Sequence, residues 1–170
     1  MRVLNFLFTS VLSILLTGCA SYRLGPVNGE VAGDKTVEIL PFNNQTLLPR
    51  LGDAVTQSLR ERLQVDATYR LATRAPGDLV VSGVINRYER QGLGNLSNDS
   101  TAVQNFRVEV TAHVVVRERA AGRLLLERDV TAHTLVNVGS DLASAERQAA
   151  PGLATDLAQN IMGMLTEGAW

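Results

Sequence analysis

Alternation of apolar and polar residues is clearest in the middle of the chain. Apolar residues stand at every second position from Phe106 to Val116, and mostly polar residues stand between them. Because successive side chains of a strand point to opposite faces of a sheet, this pattern predicts a β-strand with one buried face. A tight Ala-Ala-Gly connection and the segment 123–138 follow, so we expect a long antiparallel hairpin.

Two segments have the period of an α-helix instead. Apolar residues recur at every fourth position from Leu51 to Leu63, which predicts a helix that begins near Arg50. Residues 142–165 have helical spacing too, but they contain Pro151. Proline is unfavourable inside a helix and acceptable at its first position, so we expect a kinked or two-piece helix, or one that starts at Pro151.

Shorter apolar runs complete the predicted fold. Strands are predicted at 36–40, 69–72 and 79–89, and the third run is apolar on both faces, as is typical of a central strand. Residues 43–46 and 91–101 are predicted to be loops. The order is therefore β-α-β-β-β-β-α, which favours an α+β fold with a mostly antiparallel β-sheet and two helices packed on one face.

The N-terminus has a different character from the rest of the chain. Arg2 is followed by an apolar stretch, 3–16, that is shorter than the roughly 20 residues of a membrane-spanning helix. The next residues, Leu16-Thr17-Gly18-Cys19, resemble the bacterial lipobox. That resemblance implies cleavage before Cys19 and attachment of diacylglycerol and an N-acyl chain to this residue. The alternative is an ordinary exported protein whose cysteine lies near the cleavage site by chance.

These features divide the chain into three parts. We expect a lipoprotein signal peptide at 1–18, a lipidated N-terminus and tether at 19–35, and a single domain at 36–170. Residue 20 is alanine rather than aspartate, which resembles an outer-membrane sorting signal. About fifteen residues separate the lipid from the first strand, a reach of at most about 50 Å. A partner in the same membrane is therefore favoured.

Composition excludes several classes of function. The 170 residues include 16 basic and 17 acidic ones, for a net charge of -1, which argues against a basic nucleic-acid binder. One cysteine excludes an internal disulfide. Because the GxSxG, HExxH and GxxxxGK motifs are absent, we expect no enzymatic activity, no metal and no cofactor apart from the lipid on Cys19.

Two histidines occupy polar positions of the predicted hairpin. His113 and His133 are interpreted as exposed strand residues. Alternatively they face each other across the hairpin, where a metal would need a further ligand such as Glu109 or Asp129.

Arginine supplies nearly all the positive charge, because Lys35 is the only lysine. One candidate cluster surrounds the hairpin turn and consists of Arg117, Arg119 and Arg123. A second could form at the opposite end of the sheet from Arg87, Arg90 and Arg107. Since the planar guanidinium binds phosphate in a bidentate manner, either cluster suits a phosphorylated glycolipid. Simple ion pairing with neighbouring carboxylates is the alternative.

Several segments resemble the LPS-assembly lipoprotein family LptE. The residues Tyr22-Arg23-Leu24-Gly25 are similar to its opening after the lipidated cysteine, although Ala20-Ser21 stand where one glycine is common. The run from Val37 to Thr46 is similar to its first strand and its Pro-Phe-x-Asn motif. Leu79–Arg90, with Gly83, resembles its next strand. The resemblance covers most of residues 19–170.

This resemblance implies a non-enzymatic outer-membrane lipoprotein of the Gram-negative cell envelope. Its expected partners are the membrane, the LPS translocon barrel LptD, for which it acts as a plug and assembly partner, and LPS, which it binds during insertion into the outer leaflet. The assignment of Arg117, Arg119 and Arg123 to LPS binding comes from their chemistry and not from the family. The alternative function is activation of a peptidoglycan synthase from the outer membrane, a role that usually needs a long disordered arm.

Overall fold

The computed structural model describes residues 33–93, 105–137 and 141–167. Within these ranges the α+β fold predicted from the sequence is confirmed, with two helices and an open mixed sheet. In chain order the elements are β1 (Thr36–Ile39), β2 (Asn43–Asn44), α1 (Leu51–Asp66), β3 (Arg70–Leu71), β4 (Leu79–Leu93), β5 (Asn105–Glu118), β6 (Leu124–Asn137) and α2 (Leu142–Glu167).

The sheet combines a small parallel part with a large antiparallel part. Its strand order is β3-β1-β4-β5-β6, and β2 also pairs with β4. Strands β1, β2 and β3 form parallel pairs, whereas β4, β5 and β6 form a long antiparallel meander. The central position predicted for β4 is therefore confirmed along its first half, where it has a neighbour on each side.

Both helices pack on the same face of the sheet. The fourfold repeat of α1 buries Leu51, Val55, Leu59 and Leu63, each 0% exposed. Helix α2 packs against α1, β5 and β6 and adds its own apolar stripe to a single core. Burial of these two stripes against the sheet is the main stabilising contribution expected for a domain of this size.

The Pro-Phe-x-Asn segment closes one end of the core by close packing. The Phe42 ring is buried over Gly83, where an added Cβ would lie 2.2 Å from ring atom Cε1. The Phe42 N–H donates to the buried Thr56 hydroxyl at 2.9 Å. Asn44 holds the following loop, because its amide nitrogen donates to the Leu48 carbonyl at 2.7 Å. These contacts give the motif a structural role.

Three local predictions need correction. Asn43–Asn44 form a two-residue strand rather than part of a loop, since Asn44 pairs with Ile85 of β4. Strand β4 continues to Leu93, so the first part of the predicted 91–101 loop is strand. Helix α2 is one helix with Pro151 inside it, so the two-piece and Pro151-start alternatives are wrong.

A β-bulge divides β4 into two halves. Ile85 pairs with Ala112 of β5, and Arg87 pairs with the adjacent Thr111, so Asn86 is an extra residue without a position on β5. An extra residue reverses the alternation of side chains beyond it. Odd-numbered side chains of β4 therefore face the helices before Asn86, and even-numbered ones face them after it.

The sheet face opposite the helices, which we call the open face, carries mostly polar and charged side chains. It includes His113 and Asp129, which lie opposite each other on β5 and β6. None of the described helices covers this face, because both belong to the core on the other side. Neither of those helices is long and apolar enough to cross a membrane.

Candidate functional site

The lipidation residue and part of the tether lie outside the described residues. This holds for Cys19, for the signal peptide at 1–18 and for 19–32 of the tether, which remain predictions. The described chain begins beside β3, where the Gly33 N–H donates to the Thr68 carbonyl at 2.8 Å. The chain therefore enters the domain at the β3 edge of the sheet, the edge opposite β6.

The turn of the β5–β6 hairpin places Arg117, Arg119 and Arg123 at one end of the sheet, as expected. Their guanidinium groups do not all point to one place. The Arg119 Nε donates to the Gly77 carbonyl at 2.9 Å, and its Nη2 forms an ion pair with Glu38 of β1. Arg123 Nε lies 3.3 Å from Glu118 Oε2. Arg117 is exposed at the end of β5. Arg119 therefore has a structural role, because it joins the hairpin turn to Gly77 and to β1.

A second set of polar contacts supports this end. Asp78 Oδ2 accepts hydrogen bonds from the Thr36 N–H at 2.9 Å and from its hydroxyl at 2.7 Å. The hydroxyl bond is the main cause that lowers the pKa of Asp78. These contacts join β1 to the start of β4. Sequence reasoning missed this pairing, because 42 residues separate the partners.

The second arginine cluster does not form. Arg90 lies on the helix side, where its Nη1 is 3.3 Å from Glu146 Oε1 of α2. Arg87 and Arg107 follow the opposite alternation and belong to the open face. Arg87 and Arg90 are three residues apart on one strand and therefore lie on opposite faces, and the bulge at Asn86 sets which of the two shares a face with Arg107. The bulge is visible in the sequence, because the positions that face the core change from odd to even numbers between Ile85 and Tyr88.

A buried polar group next to Arg90 was not predicted. The Tyr88 hydroxyl is buried and forms no hydrogen bond of good geometry within the described part of the chain, although the Glu146 carboxylate is its neighbour. Burial first, and Glu146 second, raise the pKa of the Tyr88 hydroxyl. A cavity of about 260 Å³ lies beside these groups. Its other walls include Leu47, Leu48, Pro49, Ala143 and Arg147.

The two histidines do not face each other. In the hairpin register His113 lies opposite Asp129, and His133 lies opposite Glu109. Residues 33–93, 105–137 and 141–167 contain no group of three or more histidine, cysteine or acidic side chains that could hold a metal ion. The alternative of a metal between the histidines is therefore not supported by the register.

Both nitrogens of His113 have carboxylate partners. Nδ1 is 2.8 Å from Asp129 Oδ1, and Nε2 is 3.1 Å from Glu127 Oε1. A ring nitrogen can donate to a carboxylate only when it carries a proton, so this geometry fits the doubly protonated imidazolium. Asp129 first, and Glu127 second, raise the pKa of His113. The group cross-links β5 and β6 on the open face.

Comparison with known proteins adds a family and a fold. A family model described as lipopolysaccharide-assembly, LptE, matches residues 35–165. No curated protein matches the sequence. A protein from Xanthomonas campestris described as family model DUF330 is similar in structure, with a TM-score of 0.57, 12% identity, and coverage of 86% of this chain and 92% of that one.

Two further solved structures share the fold. A hypothetical protein from Chlamydia trachomatis has a TM-score of 0.57 and 14% identity, and the match covers 80% of this chain and 96% of that one. A minor lipoprotein from Acinetobacter baumannii has a TM-score of 0.52 and 15% identity, with 78% and 92% covered. At these identities the likeness concerns the fold alone.

Proposed function

This chain belongs to the LptE family of lipopolysaccharide-assembly proteins, and from that premise we propose that it is an outer-membrane lipoprotein that binds the LPS translocon barrel LptD. In this proposal the domain acts as plug and assembly partner of the barrel and has no enzymatic role. The observation that carries it is the match of the family model to residues 35–165, which span every described strand and most of α2.

The membrane anchor is the lipid on Cys19. The lipobox Leu16-Thr17-Gly18-Cys19 supports this, and two or more acyl chains suffice for stable anchoring. The arm between lipid and domain is short, about fifteen residues with a reach of at most about 50 Å. A short arm favours a partner in the outer membrane over a peptidoglycan synthase across the periplasm.

The hairpin turn is the proposed contact for LPS. Its guanidinium groups match the phosphates of LPS in charge and in geometry. Arg117 and Arg123 are exposed there. Arg119 is tied to Gly77 and Glu38, so it is expected to position the turn as well as to attract phosphate.

Affinity purification tests the partner. The full-length chain with a C-terminal tag is isolated from detergent-solubilised envelope, and the retained proteins are identified by mass spectrometry. We expect a large outer-membrane barrel. Recovery of a penicillin-binding protein in its place would favour the peptidoglycan alternative.

Metabolic labelling with a palmitate analogue tests the anchor, since Cys19→Ala should neither label nor fractionate with membranes.

A variant series tests the LPS contact. We expect Arg117→Ala/Arg123→Ala to weaken LPS binding by about tenfold or more, because a hydrogen bond to a charged group typically contributes about 1.5–3 kcal/mol. The triple variant with Arg119→Ala should bind more weakly still. Arg87→Ala/Arg107→Ala removes as much charge from the other end of the open face and is the matched control. Unchanged binding by the triple variant would exclude the turn as the contact.

A further inference from the structure

The sheet ends in a long edge strand. Within the part of the chain that the structure describes, β6 is the last strand in the order and pairs only with β5. It runs over 14 residues. An edge of this length presents a row of backbone N–H and C=O groups to any extended chain beside it.

The register identifies which backbone groups face outward. The Glu118 N–H donates to the Arg123 carbonyl, so even-numbered residues of β5 point toward β6. Val110 of β5 pairs with Ala132 of β6. Even-numbered residues of β6 therefore bond to β5, and odd-numbered ones direct their N–H and C=O groups to the free edge.

One contact confirms this direction. The side-chain amide of Asn160 in α2 donates to the Thr131 carbonyl at 2.7 Å. A side chain thus supplies the hydrogen bond that a neighbouring strand would give. Beside it, Arg128 and Thr131 of the edge and Met164 of α2 line a groove of about 560 Å³. Extended peptides add as a further strand to exposed sheet edges of this kind.

The charged residues that protect this edge lie in its first half, at Glu127, Arg128 and Asp129, whereas its second half lacks the usual protective devices. Proteins block free edges with proline, lysine, inward charges or bulges. Strand β6 contains neither proline nor lysine, and its bulge lies near Leu124, at the turn end. Its second half, Val130–Asn137, is without acidic or basic residues apart from His133, and Leu135 is 65% exposed. This half is suited to pairing.

The side chains along the edge indicate the chemistry of an occupant. Glu127 and Asp129 stand at one end of the row, and among the described residues their ion-pair partner is the His113 imidazole, which they share. Leu135 stands at the other end. An added strand would place its own side chains directly opposite these. It would therefore carry a basic residue toward Glu127 and Asp129 and an apolar residue toward Leu135.

We propose that the β6 edge, with the groove beside α2, takes an extended segment of the barrel partner as an added strand. This inference rests on the proposed function and names the surface by which the chain holds that partner. The first described residue of the tether, Gly33, lies at the opposite edge, beside β3.

Proline at an outward-facing position tests the edge. His133→Pro removes an N–H that points away from β5, so the β5–β6 ladder is retained and only an added strand loses a bond. His133→Ala keeps the N–H and is the matched control. In affinity purification with the full-length chain, we expect His133→Pro to retain about tenfold less barrel than His133→Ala. Leu135→Lys, which leaves the backbone intact, should also retain less.

Hydrogen exchange of the wild-type complex gives a readout that does not depend on a variant folding. Amides of the odd-numbered residues from Glu127 to Leu135 should exchange about tenfold or more slowly once the barrel is bound. The even-numbered amides, already bonded to β5, should change little. If the wild-type chain retains the barrel but odd-numbered amides stay unprotected and both edge variants bind normally, the edge proposal is wrong. If the wild-type chain retains no barrel, the proposed function itself fails, and this partner with it.

Discussion

The two halves of β4 belong to one strand but have different surroundings. Residues 79–85 lie between β5 on one side and β1 or β2 on the other, and Leu79, Val81 and Ile85 are at most 1% exposed. Residues 87–93 keep β5 as their only strand partner in the described part of the chain. Most of their side chains are exposed or half-buried.

The first half of β4 therefore contributes mainly to the stability of the core, and the second half mainly to the chemistry of the surface. Apolar side chains in the first half leave water completely, and burial of each contributes about 1.5–3 kcal/mol. The second half carries arginine on both faces, with Glu89 on the open face, and contributes less to the core. Charged residues on the open face of that half can therefore vary with little effect on folding, whereas the first half tolerates few changes.

The largest effect is expected for truncation in the first half. Ile85→Ala should lower the free energy of unfolding by about 2–5 kcal/mol, because it leaves a cavity in a closed core. Leu93→Ala, the corresponding truncation in the half-buried end of the strand, should cost about 1 kcal/mol or less. Urea unfolding of both variants measures the difference. Equal losses would contradict the division of β4 into two halves.

A smaller effect is expected for Gly83→Ala, also in the first half. The added Cβ would lie 2.2 Å from the buried Phe42 ring, so the ring must shift, at a cost of about 1–3 kcal/mol. Gly163→Ala in α2 is the matched control, since an added Cβ there meets nothing within 4 Å. That variant should gain up to about 1 kcal/mol from helix propensity. A neutral Gly83→Ala would show that the Phe42 ring can move freely.

The smallest effect is a pH dependence on the open face, beside Val84 in the first half. The pKa of His113 is raised by Asp129 and Glu127, so the folded chain holds this proton more tightly than the unfolded chain. The resulting stabilisation is complete below the ordinary histidine pKa of about 6.5 and is lost as the pH rises through the raised value.

His113→Gln removes that contribution. The loss of stability relative to wild type should therefore be largest near about pH 5.5 and should shrink toward about pH 8.5. Thermal unfolding at a series of pH values measures it, with His133→Gln as the matched control on the neighbouring strand. A loss that stays constant with pH would mean that the two carboxylates do not act on His113.

Local sequence patterns were enough to predict most elements, because the apolar positions that recur along the sequence are also the positions that are buried. The fourfold repeat from Leu51 to Leu63 defines α1, and the alternation from Phe106 to Val116 defines β5. Asn43–Asn44 were missed because two residues carry no period, and they form a strand only through β4. Helix α2 passes through Pro151 because packing on α1 and β6 outweighs the local preference.

The candidate sites were harder to predict because they depend on register. Arg117, Arg119 and Arg123 share one turn, so chain proximity placed them at one end. Arg123 pairs with the nearby Glu118, but the partners of Arg119, Glu38 and Gly77, are far away in sequence. The Tyr88–Glu146 neighbourhood needs both the bulge and the docking of α2.

The extra residue at Asn86 also affects how members of the family are compared. A relative whose β4 lacks it would present, at every aligned position beyond this point, a side chain on the opposite face. An arginine aligned with Arg90 in such a relative would point to the open face, and the residue equivalent to Tyr88 would be found one column away. Alignments through this strand therefore need a gap at position 86 before charge patterns are transferred from one envelope protein to another.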